Sequence, residues 1–152
     1  MAKATAVLAN RGKMVEPSLV SKIQSEQPIE YPYPRTPPSE TETIDPAHYE
    51  TIVSAMEDVI QKGTAHRIAS GLEYRIAGKT GTAQVFTVAQ NQSYKSLRPS
   101  QSMRDHAWFI AFAPVDDPKI AVAVIAENAG HGGTVAAPIA RTVMDHYLRS
   151  KP

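Results

Sequence analysis

The sequence at residues 77–85 reads Ala77-Gly78-Lys79-Thr80-Gly81-Thr82-Ala83-Gln84-Val85. This stretch sets a lysine and threonines among glycines, in a segment that otherwise has the character of a β-strand. Glycine weakens a strand, and a glycine inside one often marks the close approach of a ligand or of another backbone. An ammonium group beside hydroxyls offers a carboxylate a charge and short hydrogen bonds. The pattern therefore predicts a strand that binds a ligand with a carboxylate.

The geometry of a strand limits how these side chains can act together. Side chains alternate along a strand, so Lys79 and Gly81 should face one way, and Thr80 and Thr82 the other. We therefore expect the binding surface to be the edge of the strand, where an extended peptide can be added as a further strand. The backbone near Gly81 and Thr82 would pair with that peptide. The Thr82 N–H would then lie beside the scissile carbonyl and could serve as an oxyanion-hole donor.

The residues around this stretch predict an antiparallel sheet covered by helices. Strand-like runs occupy about residues 75–85, 107–113 and 119–126, and a compact turn joins the last two into a hairpin. The second and third runs are almost continuously apolar, which is typical of strands whose sheet is covered on both faces. Apolar residues at helical spacing predict the covering helices over about 46–62 and 135–149. The fold class is therefore expected to be α+β.

The N-terminal region is less regular. A run of helix formers from Ala2 to Ala9 predicts a helix, and the absence of a capping residue before it suggests that a longer protein was cut within this helix. Residues 14–23 alternate loosely, which suits a strand with Pro17 at an edge or bulge. Residues 24–43 are rich in proline and predict a surface loop, with a polyproline ligand for a partner domain as the less favoured alternative.

Composition excludes several classes of protein. The 152 residues can form one core, and 16 Lys and Arg against 15 Asp and Glu give a net charge of +1 without a basic run, so nucleic acid is not an expected partner. The chain has no cysteine and its histidines never fall at ligand spacing, so we expect neither a metal nor a cofactor. The longest apolar run, Ile120 to Ala126, is far shorter than the roughly 20 residues that span a bilayer.

The quoted stretch carries a resemblance to a known family. Lys-Thr-Gly is one of three signatures shared by penicillin-binding proteins and serine β-lactamases. The longer match at 77–85 resembles class B penicillin-binding proteins, most of all the elongation-type subgroup called penicillin-binding protein 2, since septal relatives usually carry a basic residue where Gln84 stands. The resemblance covers nearly the whole chain and extends to Ala6–Gly12, Gly63-Thr64-Ala65, Phe112-Ala113-Pro114, Glu127-Asn128 and Ala136-Ala137-Pro138.

The resemblance implies a fold, an activity and partners. Residues 1–152 would be the C-terminal part of a transpeptidase domain with a penicillin-binding protein and serine β-lactamase-like fold. The activity would be D,D-transpeptidation, in which a serine acyl-enzyme forms from a D-Ala-D-Ala stem peptide that β-lactams mimic. Lys79, Thr80, Gly81 and Thr82 would bind the substrate, with the Thr82 backbone in the oxyanion hole. A lipid-II-polymerising glycosyltransferase and elongation-complex scaffold proteins would be partners, on the periplasmic side of the bacterial inner membrane.

The other two signatures of the family are missing. No lysine has a serine three residues before it, and no asparagine has a serine two residues before it. The Ser-x-x-Lys and Ser-x-Asn motifs are therefore absent, and the isolated chain is expected to lack the nucleophile and to be inactive. The alternative is a non-catalytic peptide-binding or assembly module of a cell-wall complex. A sheet that lacks part of its cover could also self-associate.

Other residues give weaker signals. Asp105-His106 could suggest a base with its orienting acid, but adjacent residues rarely point at each other. The segment 130–133, Gly-His-Gly-Gly, lacks the ending of a phosphate-binding loop and is interpreted as a permissive connection. Trp108 could be a substrate platform, although its apolar strand favours core packing. The polar loop 87–104 follows the binding strand and could form a wall of the cleft or be disordered.

Overall fold

The computed structural model describes residues 1–20, 24, 44–85 and 100–150. Three α-helices and three strands account for most of them. In chain order they are α1 (Ala2–Ala9), α2 (Pro46–Gln61), β1 (Ala77–Ala83), β2 (His106–Ala113), β3 (Ile120–Ala126) and α3 (Ala136–Arg149). The predicted α+β class is confirmed, and each predicted helix and sheet strand is present with slightly different ends. None of the helices in these ranges is long and apolar enough to cross a membrane.

The three strands form one antiparallel sheet in the order β1-β2-β3. Ala77 pairs with Phe112 at one end of the first ladder and Ala83 pairs with His106 at the other. Strand β1 is shorter than the predicted 75–85. At one end its partner strand begins at His106, and at the other the register would place Arg75 opposite Pro114, which has no N–H to extend the ladder. The predicted hairpin of β2 and β3 is present. Strand β1 therefore lies at an edge of this sheet.

Helices cover both faces of the sheet, as the apolar strands predict. On one face, Phe109 of β2 is fully buried with Met144 of α3. On the opposite face, Phe112 is fully buried in a second cluster with Ala9 of α1 and Met56 of α2. Each of these phenylalanine and methionine side chains contributes about 1.5–3 kcal/mol by leaving water. The alternation of β2 thus divides the core into two layers.

Helix α2 leads the chain towards β1 and has clear sequence signals at both ends. The Asp45 carboxylate accepts a hydrogen bond of 2.9 Å from the Ala47 N–H, and Pro46 occupies the first turn, where its missing N–H costs nothing. Gly63 follows the helix closely, since an added Cβ would lie 2.7 Å from the Val59 Cα. The helix buries one stripe, made of Tyr49, Val53, Met56 and Ile60.

The segment between α2 and β1 is attached to α3 by polar contacts. The Arg141 guanidinium donates to the Ile68 carbonyl at 2.6 Å and to the Gly71 carbonyl at 3.0 Å. Arg141 also pairs with Asp145 at 2.8 Å, and the Tyr74 hydroxyl donates to the same carboxylate. The approach to β1 is thereby held against the C-terminal helix.

The predicted strand at 14–23 is wrong over residues 14–20, which form no strand. Its apolar residues face solvent rather than a core, since Val15 and Val20 are about two-fifths exposed and Leu19 is fully exposed. Pro17 also lacks the N–H that a ladder needs. Residues 21–23 lie outside the described residues. So does the predicted proline-rich loop at 24–43, apart from Gln24, which is exposed.

Candidate binding site on the edge strand

Strand β1 places the four predicted binding residues along the edge of the sheet. Thr80 is opposite Phe109, on the face covered by α3, whereas Lys79 is opposite Ile110, on the other face. The side chains therefore alternate as the strand geometry requires. Lys79 and Thr82 are exposed, and Thr80 is half-buried.

The Lys79 side chain folds back along its own strand. Its ammonium donates a hydrogen bond of 2.7 Å to the Thr80 carbonyl. No carboxylate within the described ranges pairs with it. An exposed cation bound only to a neutral carbonyl can still attract an anion at the strand.

Thr80 and Thr82 open onto a cleft of about 660 Å³. Its other walls are the turn that follows α2, between residues 62 and 67, and the loop 131–134 that precedes α3. None of the described residues that line it is an aspartate or glutamate, whereas Lys62 and Arg67 both contribute cations. Lys62 is paired with Asp58 at 3.0 Å. Hydroxyls and cations without an acidic group favour an anionic ligand.

The turn after α2 reaches Thr80 directly. The hydroxyl oxygens of Thr64 and Thr80 lie 2.7 Å apart, within hydrogen-bond distance, and either group could donate. The two residues are far enough apart along the chain that only the fold brings them together.

The loop before α3 fits tightly over the strand. A Cβ on Gly132 would lie 2.5 Å from the Gly81 carbonyl oxygen and would also collide with the Trp108 carbonyl. A Cβ on Gly133 would collide with the Thr64 carbonyl. Both glycines are buried. The interpretation of residues 130–133 as a merely permissive connection is therefore wrong, because this loop packs against the binding strand.

The weaker candidates do not converge on the cleft. The His106 ring accepts a hydrogen bond of 2.9 Å at Nδ1 from the Asn128 N–H, and Asp105 is buried beside it without an ion pair among the described residues. Trp108 is half-buried and belongs to neither core cluster. Of the predicted loop 87–104, residues 87–99 lie outside the described residues, and a short 3₁₀-helix occupies Gln101–Met103.

The family profile of the penicillin binding protein transpeptidase domain matches residues 1–145. The chain belongs to this transpeptidase family. The match covers nearly the whole sequence, including α2, the three strands and most of α3.

Individual members of the transpeptidase family are similar throughout the chain. The peptidoglycan D,D-transpeptidase MrdA of Haemophilus influenzae is 41% identical over 159 residues, which cover 99% of this chain and 23% of the relative. The crystal structure of Pseudomonas aeruginosa PBP2 in complex with WCK 5153 has a TM-score of 0.75 at 37% identity, over 97% of this chain and 29% of that one. The predicted resemblance to penicillin-binding protein 2 is thereby confirmed.

A third relative is the Mycobacterium tuberculosis penicillin-binding protein A, in a structure of its penicillin G acyl-enzyme complex. It has a TM-score of 0.67 at 29% identity, over 97% of this chain and 31% of that one. The chain thus spans about a quarter of the length of the curated relatives that it matches.

In this transpeptidase-family chain, the sequence predicts the binding strand but not the two cleft walls that the structure describes, at residues 62–67 and 131–134. Lys79, Thr80, Gly81 and Thr82 were identified because their residue types are unusual for a strand. Thr64 appeared only as part of a resembling segment. A glycine pair between a strand and a helix is a signal of close packing, but nothing local indicates what it packs against.

Proposed function

We propose that this chain is the donor-binding part of a peptidoglycan D,D-transpeptidase, and that its edge strand holds the end of a stem peptide. A serine from a segment outside the chain would attack that peptide. One observation carries the proposal: β1 is an edge strand with the Lys79-Thr80-Gly81-Thr82 sequence, and its threonines open onto a cleft whose described lining includes cations but no acidic residue.

The backbone direction supports a role for the edge. In an antiparallel strand, residues two apart point their N–H and C=O groups the same way. The Thr80 carbonyl accepts from the Lys79 ammonium, and we infer that it points to the unpaired edge. The Thr82 N–H would then point to that edge too, where it could donate to the oxyanion that forms during acyl transfer. Such a donor contributes about 3–4 kcal/mol to transition-state stabilisation.

The side chains would supply recognition of the peptide carboxylate. The Thr80 and Thr82 hydroxyls would donate to it, and Lys79 would provide charge at the edge. Each hydrogen bond to a charged group contributes about 1.5–3 kcal/mol. Fixing the carboxylate would also fix the scissile carbonyl relative to the Thr82 N–H, because the two are joined by one residue of the ligand.

The proposed reaction has two steps. The serine oxygen bonds to the penultimate D-alanine carbonyl carbon while the terminal D-alanine leaves as an amine that takes up a proton. An acceptor amine then attacks the resulting ester, forms the cross-link and returns the serine oxygen to its protonated state. A β-lactam would undergo the first step with its ring amide. In both cases this chain contributes binding and charge stabilisation rather than the nucleophile.

We also propose a cellular location and partner proteins, on the basis of family membership. The relatives named MrdA and PBP2 suggest an elongation-type enzyme acting on the periplasmic side of the inner membrane. A lipid-II-polymerising glycosyltransferase and scaffold proteins of the elongation complex are the expected partners.

Intact-mass measurement after incubation with penicillin G tests the proposal. The 152-residue chain alone should gain no mass, whereas a longer protein that joins it to a serine-bearing segment should gain one β-lactam. An adduct on the chain alone would contradict the prediction that it lacks a nucleophile. A longer protein that never acylates would favour the alternative, a non-catalytic peptide-binding or assembly module.

A further inference from the structure

The turn after α2 places a second hydroxyl behind the binding strand. Thr64 Oγ1 lies 2.7 Å from Thr80 Oγ1. Within the described residues, the Thr64 hydroxyl has no other hydrogen-bond partner, and the same is true of Thr80. Both threonines line the cleft, so a ligand there could reach the pair.

Thr64 is held in place from two sides. The next residue, Ala65, is fully buried and donates its N–H to the Val59 carbonyl at 3.0 Å, which ties the turn to the end of α2. On the other side, Gly133 packs so closely on the Thr64 carbonyl that no Cβ could be accommodated. The Thr64 backbone is therefore fixed between a helix end and the loop before α3, at a position from which its exposed side chain reaches Thr80.

We propose that Thr64 is a positioning residue that orients the Thr80 hydroxyl for an anionic ligand. A hydroxyl has one proton to donate and two lone pairs that accept. If Thr64 donates to Thr80, the Thr80 proton is free to point into the cleft, towards a ligand carboxylate. The first hydrogen bond then polarises the second, because donors in a chain strengthen one another. An anion in the cleft selects this arrangement over the reverse one, in which Thr80 would offer it only lone pairs.

This inference rests on the proposed function, since it concerns how Thr80 binds the donor. Thr64→Val keeps the shape of the side chain and removes the hydroxyl, and Thr64→Ser keeps the hydroxyl. Thr51→Val is the matched control, because the Thr51 hydroxyl on α2 is exposed and donates only to the Ala47 carbonyl one turn back.

The experiment measures the second-order rate constant of acylation by penicillin G in the longer, serine-bearing protein. Thr64→Val should lower it about tenfold, which corresponds to about 1.4 kcal/mol. Thr64→Ser should restore it to within about twofold, and Thr51→Val should leave it unchanged. In a Thr80→Val background, the further change Thr64→Val should have almost no effect, because its action passes through Thr80.

The outcomes separate this inference from the proposed function. The positioning role is wrong, and the binding strand stands, if Thr80→Val slows acylation but Thr64→Val does not. The same conclusion follows if Thr64→Val lowers the acylation rate constant by the same factor in the Thr80→Val background as in the wild-type protein. The same holds if Thr64→Ser fails to restore the rate while the protein melts normally. If the protein never acylates, or if Thr80→Val has no effect, both the proposed function and the positioning role are overturned.

Discussion

Tyr74 donates a hydrogen bond of 2.5 Å to the Asp145 carboxylate, which attaches the segment that enters β1 to the C-terminal helix. Burial alone would raise the pKa of Asp145, but the hydrogen bonds from Arg141 and Tyr74 outweigh it and hold that pKa below its usual value. Burial, followed by the hydrogen bond to Asp145, raises the pKa of Tyr74 well above its usual range. The contact therefore depends on a charged carboxylate and a neutral phenol.

These shifts predict how stability depends on pH. The Asp145 contribution is complete above the unfolded carboxyl pKa of about 3.9 and is lost as the pH falls through the lower, folded value. The Tyr74 contribution is complete below the unfolded phenol pKa of about 10 and is lost as the pH rises through the higher, folded value. Both are therefore fully present near neutral pH.

Asp145→Asn should lower the free energy of unfolding by about 1–3 kcal/mol at pH 7, because it leaves Arg141 without its carboxylate. The loss should shrink as the pH falls through the folded pKa of Asp145. Urea denaturation at a series of pH values measures both effects. Asp117→Asn is the control, since Asp117 is exposed and its pair with Lys119 should contribute less than about 1 kcal/mol. An equal loss in both variants would contradict the prediction.

Gly133→Ala should destabilise the protein and disturb the cleft, because the new methyl group would overlap the Thr64 carbonyl. Overpacking of this kind costs about 1–3 kcal/mol. Gly71→Ala is an informative comparison: its φ of 65° strains an alanine by about 1–2 kcal/mol, yet nothing lies within 4 Å of the added Cβ. In the serine-bearing protein, only Gly133→Ala should slow acylation by penicillin G. Normal acylation with Gly133→Ala would show that the loop does not shape the cleft.

Lys79→Ala should slow acylation of the serine-bearing protein about tenfold while leaving folding intact. The ammonium is exposed and, among the described residues, bonds only to the Thr80 carbonyl, so its loss removes charge from the edge but little packing. Stopped-flow acylation with penicillin G and a thermal melt measure the two properties. Lys119→Ala, which removes an exposed lysine paired with Asp117, is the control. Unchanged acylation kinetics with Lys79→Ala would show that Lys79 does not contribute to ligand binding.

The isolated chain should self-associate through β3, whose outer edge pairs with no strand among the described residues. Ile125 on this strand is 45% exposed, and Ile125→Lys should shift the chain towards monomer by placing a charge at the edge. Val143→Lys on α3 changes a similarly exposed residue away from the edge and should have a smaller effect. Sedimentation velocity distinguishes these results. A wild-type chain that stays monomeric at high concentration would contradict the prediction.

The sequence predicted the fold correctly where a local pattern favoured one kind of secondary structure. Short, continuous apolar runs are typical of strands covered on both faces, and Phe109 and Phe112 lie in opposite core layers. The pattern at 14–23 misled because loose alternation around Pro17 resembles a strand, although no partner strand accepts it over residues 14–20. Alternation predicts a strand only where another backbone is available to pair.

Part of the site was also predictable from a local sequence pattern. The unusual residues of β1 mark it as a binding strand, but Thr64 reaches Thr80 only through the end of α2, and Gly132 reaches Gly81 only through the loop before α3. Contacts between remote segments leave no local signature in the sequence, because many residue types are compatible with the local secondary structure at each position. The walls of the cleft therefore became visible only in three dimensions.

The contact between Gly133 and Thr64 also bears on the order in which the protein forms during synthesis. Strand β1 and the turn before it leave the ribosome well ahead of residue 133, so the cleft stays open on one side until the loop 131–134 has emerged. Contacts between distant segments form late, since their loops must close first. The nascent chain can therefore fold α2 and the turn that follows it before its cleft is complete, and competence to bind appears only after the loop 131–134 has emerged.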